Sequence, residues 1–133
     1  MDLIFFDLDG TLLNSESQIS NFTKETLLKL QENDIAYSAA TGRTMLTGTG
    51  ILDGHGFDLP QIYSNGVTIW DPRAYRLTLK HLLSSAEVAV ITQTADLQGI
   101  TPFVHAVDEN EYFVYHANPR HDIEKELISA RYQ

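Results

Sequence analysis

LIFFDLDGTL, residues 3–12, decides the fold of this chain. Its four leading apolar residues predict a strand buried on both faces, as in a parallel sheet. Two carboxylates, Asp7 and Asp9, follow that strand one residue apart, and Gly10 permits a sharp turn behind them. Because ligands of open α/β sheets bind beyond the carboxyl ends of the strands, we expect the chemistry of this protein to take place here.

The two acids predict a divalent cation. Residues two apart in an extended backbone point the same way, so Asp7 and Asp9 can face one small site. Neighbouring negative charges repel unless a cation or a proton relieves them, and Mg²⁺ favours a few carboxylates together with phosphate oxygens. A calcium loop of the EF-hand type is excluded. Counted from Asp7, its sixth and twelfth positions need glycine and glutamate, but they hold Leu12 and Gln18.

The segment D-L-D-G-T-L after an apolar strand resembles the first motif of the haloacid dehalogenase (HAD) superfamily, most of whose members are magnesium-dependent phosphatases. The resemblance implies that Asp7 attacks phosphorus and becomes an aspartyl phosphate. It implies that Asp9 protonates the leaving oxygen and then activates water. It also implies that the Asp7 side chain and the Asp9 backbone carbonyl hold Mg²⁺.

A second polar segment is predicted to lie beside the first. Residues 21–33 have an apolar helical stripe with Ser20 as N-cap, and residues 35–40 form the next strand. Strand, helix and strand in about forty residues make a right-handed βαβ unit with parallel strands. The second strand ends in Thr41-Gly42-Arg43, whose hydroxyl and free N–H groups at a helix start suit a phosphate.

T-G-R in this setting resembles the second HAD motif, in the Cof-type (IIB) form. The resemblance implies that the Thr41 hydroxyl and the N–H groups of Leu8 and Gly42 bind the phosphoryl oxygens. It also implies a small phosphorylated metabolite, such as a sugar phosphate, as substrate. We interpret Arg43 as an ordinary charge at a helix end. Its unfavourable position at a helix N-terminus leaves an anion partner as the alternative.

The remaining elements divide the chain near residue 80. A short helix over 43–53 and strands over 61–64, 67–70 and 75–79 are predicted before it, with Asn65-Gly66 as a two-residue hairpin turn. After it, Ser84 and Glu87 form a capping box that begins a helix ending at Gly99. Strands over 100–107 and 112–116 follow, and Asn118 caps a last helix with Pro119 at its first position.

The predicted fold class is α/β, with two parts that both resemble Cof-type proteins. Residues 1–80 are expected to form an HAD-like Rossmannoid parallel sheet with an incomplete core. Residues 81–133 are expected to form the beginning of an inserted α/β cap of the C2 type.

The chain lacks two later features of HAD phosphatases. These are a downstream lysine that neutralises the phosphoaspartate and an acidic motif of the G-D-x-x-N-D kind. Lys80 and Lys125 do not have the expected setting. We therefore interpret the chain as the truncated N-terminal half of a phosphatase, inactive alone, with a missing C-terminal half or a second copy as partner. A non-catalytic binding module and a receiver-like phosphoacceptor domain are the alternatives.

Composition narrows the classes of partner. The 133 residues carry a net charge of −9, which argues against a nucleic acid or an anionic membrane surface. No apolar run approaches the ~20 residues that span a bilayer. The chain has no cysteine, so it forms no disulfide or thiolate site, and a cytoplasmic location is expected.

Overall fold

The computed structural model describes residues 2–79 and 81–131, which fall into two compact units, Met1–Lys80 and His81–Gln133. The helices are α1 (Asn21–Glu32), α2 (Met45–Leu52), α3 (Ser85–Leu97) and α4 (Asp122–Arg131). The strands are β1 (Leu3–Phe6), β2 (Ala36–Ala39), β3 (Gln61–Tyr63), β4 (Thr68–Asp71), β5 (Arg76–Leu79), β6 (Val104–Asp108) and β7 (Glu111–Tyr115). Over residues 2–79 and 81–131, none of the helices is long and apolar enough to cross a membrane.

The first unit begins with the predicted βαβ unit. β1 and β2 pair in parallel, with Leu3 opposite Ala36, and α1 connects them. The helix begins where predicted, because the Ser20 hydroxyl accepts a hydrogen bond from the backbone N–H of Thr23 at 3.2 Å. The backbone N–H of Ala40 donates to the carbonyl of Phe6 at 2.9 Å. The carboxyl ends of β1 and β2 are therefore side by side.

β3 lies beside the end of β2, to which a single pair of residues connects it. Ala40 and Ile62 form a parallel bridge, and β3, β4 and β5 continue as an antiparallel sheet. The predicted two-residue hairpin is wrong, because Tyr63 pairs with Thr68 and four residues connect the strands. The backbone N–H of Asn65 donates to the Thr41 carbonyl at 3.1 Å. The turn is therefore shaped by hydrogen bonds to the segment after β2, which favour a wider loop.

The core of this unit is formed largely by apolar and aromatic side chains: Leu8, Leu12, Leu13, Ile19, Leu27, Tyr37, Ala39, Leu52, Phe57, Tyr63 and Trp70. Tyr63 is fully buried, and burial raises the pKa of its hydroxyl. A Cβ on Gly48 would lie 2.5 Å from Cε1 of Tyr63. The close approach of Tyr63 explains why residue 48 is a glycine, although glycine weakens a helix.

β1 is buried on only one face. In the part of the chain that the structure describes, it pairs with β2 alone. Ile4 and Phe6 pack against the core, whereas Leu3 and Phe5 are 50% and 49% exposed. The prediction of a strand buried on both faces is therefore wrong for these residues, because nothing described here covers the second face.

The second unit contains the predicted capping box. The Ser84 hydroxyl accepts from the Glu87 N–H at 3.3 Å, and the Glu87 carboxylate accepts from the Ser84 N–H at 2.8 Å. β6 and β7 form an antiparallel hairpin. The predicted start of α4 at Pro119 is wrong. The Glu124 carboxylate accepts hydrogen bonds from the backbone N–H groups of Arg120 and His121 at 2.5 and 3.1 Å. These two N–H groups are therefore satisfied just before the helix, which starts at Asp122.

Candidate active site

The loop after β1 presents its two acids to solvent. It is a wide turn, in which the Leu12 N–H donates to the Asp7 carbonyl at 3.2 Å and the Leu13 N–H donates to the Leu8 carbonyl at 2.9 Å. Gly10 has a φ of +74°, a left-handed conformation that glycine adopts without strain. Leu8 is fully buried between exposed Asp7 and exposed Asp9. Packing of Leu8, together with buried Leu12 and Leu13, therefore fixes a loop whose acidic side chains are exposed.

The Asp7 side chain is hydrogen-bonded to its own neighbour in the chain. Its carboxylate accepts from the backbone N–H of Leu8 at 2.8 Å. Over residues 2–79 and 81–131, no ion pair involves this carboxylate. The Leu8 N–H, which was predicted to bind phosphate, is thus occupied by Asp7. A phosphoryl oxygen at this position would replace the carboxylate oxygen as acceptor.

Thr41 and Gly42 lie at the adjoining end of β2. Thr41 is 6% exposed, and its hydroxyl accepts from the Arg43 N–H at 3.1 Å. Gly42 is exposed, and a Cβ there would lie 3.0 Å from Oδ1 of Asn65. The absence of a side chain at Gly42 therefore lets Asn65 approach. From the sequence, a role in the turn is favoured for Asn65. The alternative is that I-x-x-N-G after T-G-R resembles Cof-type proteins, in which this asparagine lies near the active-site cleft.

Arg43 directly links the two polar segments. Its Nε donates to Oδ2 of Asp9 at 2.7 Å, and its Nη2 donates to Oδ1 at 2.6 Å. This is the bidentate fork that arginine forms with carboxylates. The hydrogen bonds to Asp9 raise the pKa of Arg43. The interpretation of Arg43 as an ordinary helix-end charge is therefore wrong. Its unfavourable position before a helix was the one hint of an anionic partner.

The oxygen donors of this loop suit Mg²⁺ as an incomplete ligand set. No group of three or more His, Cys, Asp and Glu residues that could hold a metal occurs within residues 2–79 and 81–131. A magnesium site usually needs only one or two protein carboxylates and takes its other ligands from phosphate and water. Because Arg43 is paired with the Asp9 carboxylate, the groups of this loop that would hold the ion are the Asp7 carboxylate and the Asp9 backbone carbonyl. Of the two lysines considered above, Lys80 lies outside the described residues, and Lys125 pairs with Asp122 at 2.9 Å.

Comparison with known proteins gives a consistent result. The family model for haloacid dehalogenase-like hydrolases matches residues 4–132. The chain is 32% identical over 117 residues to an HMP-PP phosphatase of Citrobacter koseri, which covers 88% of this chain and 42% of that protein. It is 40% identical over 83 residues to a 5-amino-6-(5-phospho-D-ribitylamino)uracil phosphatase of Bacillus subtilis, which covers 62% of this chain and 28% of that protein.

Solved structures share the fold. A haloacid dehalogenase-like hydrolase from B. subtilis superposes with a TM-score of 0.71 at 26% identity, covering 98% of this chain and 42% of that one. A sugar phosphatase of HAD subclass IIB superposes with a TM-score of 0.72 at 23% identity, covering 98% of this chain and 49% of that one. The chain thus spans less than half the length of each of these relatives.

Proposed function

Because the chain belongs to the haloacid dehalogenase-like hydrolase family, we propose that it carries the nucleophile-bearing part of a magnesium-dependent phosphatase site. The proposed substrates are small phosphorylated metabolites such as sugar phosphates. The names of two relatives also give phosphorylated compounds as the substrates of those proteins. The observation that carries the proposal is the side-by-side position of two polar segments. Asp7 and Asp9 follow β1, Thr41 and Gly42 follow β2, and the Ala40–Phe6 hydrogen bond joins the two strand ends.

The proposed chemistry has two steps. In the first, an Asp7 carboxylate oxygen attacks phosphorus, the bond from phosphorus to the leaving oxygen breaks, and Asp9 gives that oxygen a proton. In the second, water attacks the phosphorus of the aspartyl phosphate and gives a proton back to Asp9, and inorganic phosphate leaves from Asp7. A covalent intermediate replaces one difficult displacement by two easier ones. The exposure of both carboxylates is compatible with these roles.

Binding of the phosphoryl group would use the backbone and one hydroxyl. We assign its oxygens to the Thr41 hydroxyl and to the N–H groups of Leu8 and Gly42. Mg²⁺ held by the Asp7 carboxylate and the Asp9 carbonyl would supply charge neutralisation for the phosphoryl oxygens. For the Leu8 N–H to take part, its hydrogen bond to the Asp7 carboxylate must open, which frees that carboxylate oxygen for attack.

A phosphate-binding module without turnover is the second candidate. It is favoured by the bidentate ion pair of Arg43 with Asp9. Arg43 donates to both oxygens of the Asp9 carboxylate, which would have to transfer a proton in the phosphatase reaction. The two candidates differ in whether Asp7 accepts a phosphoryl group, which a binding module does not need to do. We expect negligible hydrolysis of p-nitrophenyl phosphate with Mg²⁺ by this chain alone under either candidate. Formation of an aspartyl-phosphate analogue at Asp7 therefore distinguishes them.

Titration with inorganic phosphate in excess MgCl₂ tests the proposed site. We expect saturable shifts of the Leu8 and Gly42 amide signals in ¹H–¹⁵N spectra. Thr41→Val should weaken phosphate binding at least about tenfold, since a hydrogen bond to a charged group contributes ~1.5–3 kcal/mol. Thr26→Val is the matched control, because its exposed hydroxyl donates to the Phe22 carbonyl within α1. Shifts that are equally strong in both variants, or confined to other residues, would contradict the assignment.

A further inference from the structure

We infer that Arg43 is a positioning residue that holds Asp9 in a resting arrangement and exchanges this carboxylate for the phosphoryl anion when the anion binds. This inference rests on the proposed function and adds a regulated step to it. The resting arrangement is the bidentate pair between the two side chains. In the bound arrangement, the same guanidinium N–H groups would donate to phosphoryl oxygens, and Asp9 would be released.

The anchoring of the guanidinium indicates which partner moves. Nη1 of Arg43 donates to the Thr47 carbonyl in α2 at 3.1 Å, and Nη2 also donates to the Ser17 hydroxyl at 3.1 Å. The Arg43 side chain is 19% exposed, whereas that of Asp9 is 57% exposed. Arg43 therefore keeps two hydrogen bonds to the protein when Asp9 leaves. The more exposed carboxylate can swing into solvent at little cost.

The ion pair with Arg43 prevents the proposed proton transfer by Asp9. The exchange would remove this obstacle when the phosphoryl anion binds. Both Asp9 oxygens accept hydrogen bonds from Arg43, so neither can hand over a proton until a bond to the guanidinium breaks. The Asp9 side chain is 57% exposed, so water can replace the hydrogen bonds that its carboxylate loses on release. Arginine binds phosphate with the same fork that it offers a carboxylate. Arg43 also follows Thr41 and Gly42 directly, so an anion held there lies beside the base of its side chain.

A plain structural cross-link is the competing explanation, and a double-mutant cycle distinguishes it. Phosphate affinity is measured from amide shifts in excess MgCl₂ for the wild type, Asp9→Asn, Arg43→Ala and the double variant. Asp9→Asn removes a negative charge near the phosphate site, which raises phosphate affinity by a similar factor whether residue 43 is arginine or alanine. This factor therefore cancels in the cycle. Competition for the guanidinium exists only when Arg43 is present.

We expect Asp9→Asn to raise phosphate affinity about tenfold more in the Arg43 background than in the Arg43→Ala background. With Arg43→Lys, the increase in phosphate affinity caused by Asp9→Asn should be intermediate. Lysine retains the positive charge but not the bidentate hydrogen-bonding geometry. Should Arg43→Ala fail to fold, the cycle is completed with Arg43→Lys, and a ratio of about threefold is expected. Thermal melts of all variants verify that each is folded.

The outcomes separate this inference from the function beneath it. Equal effects of Asp9→Asn in both backgrounds, with phosphate still bound at Leu8 and Gly42, would overturn the exchange and leave the phosphate site intact. No phosphate-dependent shift at Leu8 or Gly42 in any of the proteins would overturn the proposed function and the exchange together.

Discussion

Leu8→Ala should lower the free energy of unfolding of the first unit by about 2–5 kcal/mol, the usual cost of truncating a fully buried leucine. Leu8 has no exposed surface and packs in the main core cluster. Because it stands between Asp7 and Asp9, the lost packing also loosens the backbone that carries both acids. We therefore expect phosphate affinity to fall in the same variant, even under conditions in which it remains folded.

Leu3→Ala is the matched control for this prediction. Leu3 lies on the neighbouring strand and is 50% exposed, so its truncation should change the unfolding free energy by no more than about 1 kcal/mol. Urea unfolding of the two variants, followed by far-UV circular dichroism, measures both values. Similar losses for Leu3→Ala and Leu8→Ala would mean that Leu8 does not anchor the loop.

Gly56→Ala should destabilise the first unit by about 2–5 kcal/mol. Gly56 has a φ of +77°, where an alanine costs ~1–2 kcal/mol. Its Cβ would also overlap Nε2 of Gln31 and the hydroxyl of Tyr37. That hydroxyl accepts from Gln31 at 2.5 Å and donates to the His55 carbonyl at 2.8 Å, so the added carbon breaks up a hydrogen-bonded network. Overpacking of this kind costs a further ~1–3 kcal/mol.

Gly54→Ala separates the two contributions. Gly54 has a φ of +73°, but nothing lies within 4 Å of its Cβ position. It should therefore lose only the ~1–2 kcal/mol of backbone strain. Thermal unfolding of both variants at one protein concentration gives the comparison. If Gly54→Ala proves as damaging as Gly56→Ala, the overlap with Gln31 and Tyr37 contributes nothing.

Local signals in the sequence predicted the elements that local interactions form. The apolar run before Asp7, the Ser20 cap and the Ser84–Glu87 capping box each depend on a few neighbouring residues, and the structure confirms all three. The family match and the fold of the solved relatives confirm the predicted class.

Contacts between distant parts of the chain explain what the sequence did not predict. Arg43 and Asp9 are 34 residues apart, and only the parallel pairing of β1 with β2 brings them together. The wider turn at Asn65 depends in the same way on a hydrogen bond to Thr41. Periodicity alone also could not tell whether a second layer covers β1, because an apolar run looks the same in either case.

Fluorine NMR with beryllium fluoride tests most directly whether Asp7 is the phosphoryl acceptor, because the tetrahedral BeF₃ group bound to a carboxylate oxygen mimics an aspartyl phosphate. We predict that the chain, with MgCl₂, BeCl₂ and NaF, gives bound ¹⁹F signals that disappear when Mg²⁺ is removed. These signals should be absent in Asp7→Asn and unchanged in Asp53→Asn, whose exposed carboxylate lies outside the site. Bound signals that persist in Asp7→Asn, or their absence from the wild-type chain at saturating Mg²⁺ and fluoride, would contradict the assignment.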